Sequence, residues 1–324
     1  MQVVSSREEF QWLFLVVAGY LLSLLPDSLL WIACLGLVLV LGVPHGALDI
    51  FLLWSESQKK ISLLTYEVFK YLLIAGSSLL VWKISSDLFW FLFFFAAVFH
   101  FGSSDEHPEV LKAVSPNSWT RLVWVFSRGI LLVFTPAVFH SEKIMEYLKQ
   151  ASSLEFAKAF IQVAPFLCAY AVLIFGITSW RFYQSASLNA FRWLGMKVFC
   201  SVGIFILLFW VADPLVSFSL YFCFYHSLNH AFRVLDRSKN HKKKWMVWSF
   251  FLTLPILPLG FWAQKQMSQS LSKESAVTAC FVAIAALTFP HLVVVERLHL
   301  KLKRHFQKES EHKGPKHLPL AGTF

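Results

Sequence analysis

Residues 89–99 read Phe-Trp-Phe-Leu-Phe-Phe-Phe-Ala-Ala-Val-Phe, and His100, Phe101 and Gly102 follow with no charge between. This run is one of a series of near-spanning apolar stretches, separated by short polar breaks, that repeats from the N-terminus to residue 299. Of the 324 residues 57% are hydrophobic, 34 of them Phe, and only 15% are charged. Ordinary soluble domains carry roughly 25% charged residues, too many for this chain to match with a water-facing surface. The pattern predicts an all-α fold, a polytopic integral membrane helical bundle, because the bilayer interior offers the backbone no outside hydrogen-bond partners. Spans are expected near 10–25, 28–43, 62–82, 87–101, 119–139, 161–180, 192–211, 214–234, 245–262 and 276–298, about ten in all. Those at 28–43 and 87–101 are short for a core that takes roughly 20 helical residues to cross, and each ends in a histidine motif.

The net charge of +10 raises the question of nucleic acid. Its Lys and Arg residues, however, sit in loops beside apolar spans rather than along one polar face, so no nucleic-acid partner is expected. In a ten-span count Lys59, Lys60, Arg181, Arg192, the cluster Arg237 to Lys244 and the tail Lys301, Lys303 and Arg304 share one side. The positive-inside tendency makes that side cytoplasmic and puts both termini there, in a multi-pass protein of the cell inner (plasma) membrane. Cys34, Cys168, Cys200, Cys223 and Cys280 all lie in apolar stretches without a CxxC pair, which indicates neither disulfides nor a thiolate metal site. The first apolar run lacks a basic flank and reads as a span rather than a cleaved signal. Ser141 to Phe160 mixes charges with apolar residues at helical spacing, as an interfacial helix does.

Five of the twelve histidines are embedded in apolar spans or at their ends: His45 in GVPHGALDI, His100 in VFHFGSSDEH, His226 and His230 in FYHSLNHAF, and His291 in TFPHLVVVE. All fall on even-numbered spans, in the second half or at the end, and so share a similar depth. Ionisable groups there are costly and usually functional. A single such histidine is more simply a helix cap or a carbonyl partner. Five from four helices need a common partner, and neutral imidazoles suit iron, copper or zinc. His226 and His230, at i and i+4, share a helix face. Asp49 follows His45 by four and Asp105 follows His100 by five, the places of carboxylates that orient a ligating imidazole. Pro44 and Pro290 each precede a histidine and can bend the helix that carries it.

PHGALD, HFG with an acidic residue after it, HSxxH and a late PH, in this order over about residues 40–296, resemble the Brp/Blh family of membrane carotenoid dioxygenases. Here Ser103 and Ser104 stand between HFG and Asp105. The resemblance implies cleavage of the central double bond of β-carotene by O₂ at a non-haem Fe(II), giving two retinal molecules. It implies iron ligands at His45, His100, His226 and His230, with His291 a further site histidine. The transmembrane helical catalytic domain is expected over 1–300, and from Lys301 the chain is polar and basic, with Gly314, Pro315 and Pro319, and reads as a mostly disordered cytoplasmic tail over 301–324. A polyene dissolves in the lipid bilayer, where such an enzyme would meet it, and the Phe-rich run beside His100 is placed to line an apolar tunnel. Retinal as product would tie the protein to a microbial rhodopsin. Competing expectations are a membrane desaturase or hydroxylase, a haem electron carrier and a proton-coupled transporter. The first calls for more histidine boxes than the one HxxxH found in the spans.

Overall fold

The computed structural model describes residues 5–57, 60–104, 118–185, 189–235, 242–267 and 272–313. They form α1 (Ser5–Ser23), α2 (Asp27–Glu56), α3 (Ile61–Ile84), α4 (Ser86–Ser104), α5 (Ser118–Phe139), α6 (Ser141–Leu148) and α7 (Leu154–Ser185). Then come α8 (Asn189–Val211), α9 (residues 214–235), α10 (Lys243–Met267) and α11 (Lys273–Lys313). No strand occurs among the described residues.

Each of the ten apolar runs lies on helix, and among the described residues seven helices are long and apolar enough to cross a membrane: α2, α3, α4, α10 and the greater part of α5, α7 and α11. The stretches Phe14–Ser23 of α1 and Cys200–Val211 of α8 are also apolar. α9 meets neither description, since Asn229, His230 and Arg233 interrupt it. It is buried over most of its length, from Pro214 through Tyr221 to Leu235, and a helix shielded from lipid by its neighbours need not be apolar. α11 is likewise central, with 61% of its spanning window buried, whereas α3 has 6% and shows Tyr66, Phe69, Leu72 and Leu80 to the outside. Water would not tolerate so broad an apolar exterior; lipid does.

Four helices begin at one end of the bundle and are tied there by polar contacts. Lys273 at the start of α11 pairs with Asp27 of α2 at 2.7 Å, and Lys143 of α6 pairs with Asp213 at 2.6 Å. Asp213 also caps α9, accepting from the Leu215 amide at 2.8 Å. Asp87 in the first turn of α4 accepts from Ser153 N and Oγ at 2.7 and 2.6 Å. The interfacial stretch expected at 141–160 is thus part of this tie. Its polar side binds helix starts, while Leu148, Ala157 and Phe160 are buried against Ala137 and Ala164. At the other end α11 runs on to Lys313, because KLKRHFQKESEHK has no Pro or Gly to stop it. Residues 314–324 lie outside the described residues.

Glycines set how closely α4 and α5 cross. A Cβ on Gly102 would stand 2.0 Å from the Val125 carbonyl oxygen, and one on Gly129 would stand 1.8 Å from that of Val98. The two backbones therefore touch on both sides of His100, the close approach that small residues allow between membrane helices. Gly129→Val should force the helices apart, and the expected outcome is a lower melting temperature in detergent and poor recovery of monodisperse protein. Gly36→Val, at a position with open space around it, serves as the control and should change neither.

Candidate functional site

Local irregularities in the helices aim the histidines. Residues Val38–Gly42 of α2 form a π turn, closed by Val43 N donating to Val38 O at 2.8 Å. Just beyond it Pro44 has no N–H, and the Gly46 amide donates to Val43 O at 3.1 Å instead of reaching Gly42. The Gly42 carbonyl is thereby released, and it accepts from Nδ1 of His45. This fixes the tautomer with the lone pair on Nε2. A second π turn, Tyr221–Ser227, carries His226 on α9, with His230 on the regular helix that follows. Turns of this kind are rare and recur at functional sites. The two packed segments meet where Gly42 lies under the Phe222 ring, which a Cβ would approach to 2.6 Å.

All five histidines are buried, His226 completely. Ring centroids of His45 lie 5.1 Å from His226, 5.5 Å from His230 and 5.2 Å from His291. Those of His100 lie 5.0 Å from His226 and 5.1 Å from His291, and His230 is 5.3 Å from His291. The i, i+4 pair His226 and His230 is 6.5 Å apart with nearly parallel rings. Among the described residues, no three or more His, Cys, Asp or Glu side chains have their donor atoms drawn together as a formed metal site. The ring spacing nevertheless fits a shared ion. Imidazoles bound at about 2.1 Å to one tetrahedral centre have centroids about 5.3 Å apart. Nε2 of His230 and Nε2 of His291 are buried with no hydrogen-bond partner, as donors reserved for another atom would be.

His291 is a full member of the cluster rather than an outlier. Its Nδ1–H donates to both oxygens of Asp49, at 3.0 and 2.9 Å, and its Nε2 is left without a protein partner. Sequence spacing predicts Asp49 beside His45, four residues earlier. The helix is interrupted between Ala47 and Asp49, so the carboxylate turns toward α11 and lies almost wholly buried there, with the Tyr71 hydroxyl as a further donor. Asp105, the other expected carboxylate, is outside the described residues. Two arginines escaped the sequence reading. Arg128, fully buried in α5, donates to the Phe101 carbonyl at 3.5 Å, and Arg233 donates to that of Ser104 at 2.6 Å. Both place positive charge at the C-terminal end of α4, next to His100, where a helix dipole favours it. The available signal was a lone arginine within an apolar span.

An apolar cavity adjoins the histidines. α4 contributes Trp90, Phe93, Phe94, Ala97 and Phe101 to its wall, α9 contributes Phe218 and Tyr221, and α6 lines one end with Ile144, Tyr147 and Leu148. Of the Phe-rich run, the stripe at helical spacing faces this space, while Phe91 and Phe95 face outward. Phe101 stands between cavity and cluster, its ring 4.8 Å from that of His226.

The family model described as Beta-carotene 15,15'-dioxygenase matches residues 36–299, a stretch that includes every histidine of the cluster. A protein of Uncultured marine bacterium 66A03, named "Beta-carotene 15,15'-dioxygenase", is 28% identical over 279 residues, covering 82% of this chain and 92% of the relative. No solved structure matches.

The Asp49 contact can be tested by stability alone. Asp49→Leu strands the His291 N–H in the interior, and an unsatisfied buried donor costs about 1–3 kcal/mol. Asp49→Asn retains an acceptor and should lose less. The ordering wild type, Asn, Leu is the expected result in thermal unfolding, and equal stability of all three would contradict the contact.

Proposed function

Since this chain belongs to the beta-carotene 15,15'-dioxygenase family, we propose that it cleaves the central double bond of β-carotene with O₂ at a non-haem iron, giving two molecules of all-trans retinal. The observation that carries the proposal is the meeting of five buried histidines from four helices beside a wall of aromatic side chains. His45, His100, His226 and His230 would hold the ion, with His291 as a further nitrogen donor in the same cluster. Fe(II) held by these imidazoles would supply the activation of O₂.

The protein's own residues do the rest. Gly42 and Asp49 hold the Nδ1 sides of His45 and His291, so that each ring is fixed before any ligand arrives, as partners behind metal-binding histidines do. Splitting one C=C with O₂ into two C=O groups uses both oxygen atoms and transfers no proton. The centre therefore needs no general acid or base, in keeping with a donor set of neutral imidazoles. Phe101 and Tyr221 would keep water from the reacting double bond and hold the polyene within reach of the cluster.

The substrate is soluble in the bilayer, whose hydrocarbon core of about 30 Å matches the length of the polyene. We place the protein in the cell inner (plasma) membrane with both termini cytoplasmic, on the side of its basic loops. Retinal would pass to a retinal-binding protein such as a microbial rhodopsin.

The test is expression in a bacterium that accumulates β-carotene, with retinal measured by chromatography. Wild type should produce retinal and bleach the cells, and His226→Ala should reduce retinal at least a hundredfold at equal membrane yield. Absence of retinal from inserted, iron-loaded wild type would overturn the proposal.

A further inference from the structure

The lining of the cavity extends along α4 from Trp90 to Phe101. Its histidine end is Phe101, which touches His226 and packs edge to face on Tyr221 at 5.6 Å. Away from the histidines its lining includes Trp90 and, from α6, Leu148. At a rise of about 1.5 Å per residue, the step along α4 from Phe101 back to Trp90 is about 16 Å. A C40 carotenoid is about as long as the bilayer core is thick, about 30 Å, so half of one is about 15 Å.

The far end is also rigid. Trp90 is 3% exposed, and its Nε1–H donates to the Ala151 carbonyl at 3.0 Å. The Trp82 indole donates to the same oxygen at 3.4 Å. Phe94 stacks on Trp90, and Phe89 and Phe93 meet it edge to face. An indole pinned by a hydrogen bond and three aromatic neighbours does not swing aside. Between the two ends the wall is thinned by Ala97 and Ala137, both buried. The small side chains leave room for a polyene along this side of α4, and the hydrogen-bonded indole stands at its far end.

We propose that this cavity is a ruler. It seats one half of a hydrocarbon carotenoid with the terminal ring against Trp90, and the Trp90-to-Phe101 distance brings the central double bond to the histidines. This inference rests on the carotenoid cleavage proposed above and adds to it the residue that fixes which bond is cut. The other half of the molecule extends beyond the cluster and is not measured.

The experiment quantifies aldehydes by liquid chromatography and mass spectrometry from β-carotene-accumulating cells. Wild type gives retinal alone. Trp90→Ala lets the seated half sink deeper, so an aldehyde longer than retinal and its shorter complement should appear together, one pair for each O₂ consumed. Ala97→Phe fills the passage and should reduce retinal at least tenfold while membrane yield and iron content stay at wild-type levels, a readout that holds even if Trp90→Ala fails to fold. Retinal as sole product of a folded Trp90→Ala protein, or undiminished retinal from Ala97→Phe, would overturn the ruler and leave the cleavage activity standing. A wild type that cleaves no carotenoid would overturn both.

Discussion

Five imidazole rings buried within a membrane bundle pose a problem of solvation that the rest of the structure answers. Each ring has two nitrogens, and lipid satisfies neither. Two of the outward nitrogens are met by the protein itself, Nδ1 of His45 by the Gly42 carbonyl and Nδ1 of His291 by Asp49. The inward nitrogens of His230 and His291 have no protein partner. A buried polar atom left in this way costs free energy, and a cluster of them persists where a ligand repays that cost. The helix breaks follow from the same demand. Pro44 and the π turns of α2 and α9 depart from regular helix where a ring must be turned or a carbonyl released.

Shared depth comes from a different part of the molecule. α2, α4, α9 and α11 all start at the end carrying α6, tied by Asp27, Asp87, Asp213 and Lys273. From there each chain runs roughly 20 to 27 Å, at about 1.5 Å per residue, before presenting its histidine. The ion pairs are partly exposed and individually weak. Their effect is registration: they hold four helix starts level, so four histidine motifs far apart in sequence arrive at one layer. The same geometry puts the apolar cavity between α6 and the cluster, so the distance that aligns the histidines also sets the length of the space beside them.

Much of this was legible in the sequence, and for physical reasons. Apolar runs force helices in lipid, and alternate spans run in the same direction, so histidines late in even-numbered runs had to share a level. What could not be read depends on rotation about a helix axis or on contacts between distant segments. A regular helix would put Asp49 beside His45, but the interruption after Ala47 turns it toward His291, 242 residues away. In the Phe-rich run every residue is apolar, so composition could not say that Trp90, Phe93, Phe94, Ala97 and Phe101 form the inner stripe. Only packing against α5, α9 and α11 decides it. Arg128 was visible as a charge inside a span, but its place at the end of α4 depends on the α4–α5 crossing set by Gly102 and Gly129.

The proposed chemistry requires that the histidines of four helices close on a single metal ion. X-ray absorption at the iron edge, on anaerobically purified protein with the metal quantified, tests it most directly. The expected result is one iron per chain and a shell of nitrogen or oxygen donors at about 2.1 Å, with the multiple-scattering pattern of four or five imidazoles. Protein that retains no metal after iron-replete expression, or a shell dominated by sulfur or carboxylate, would contradict it.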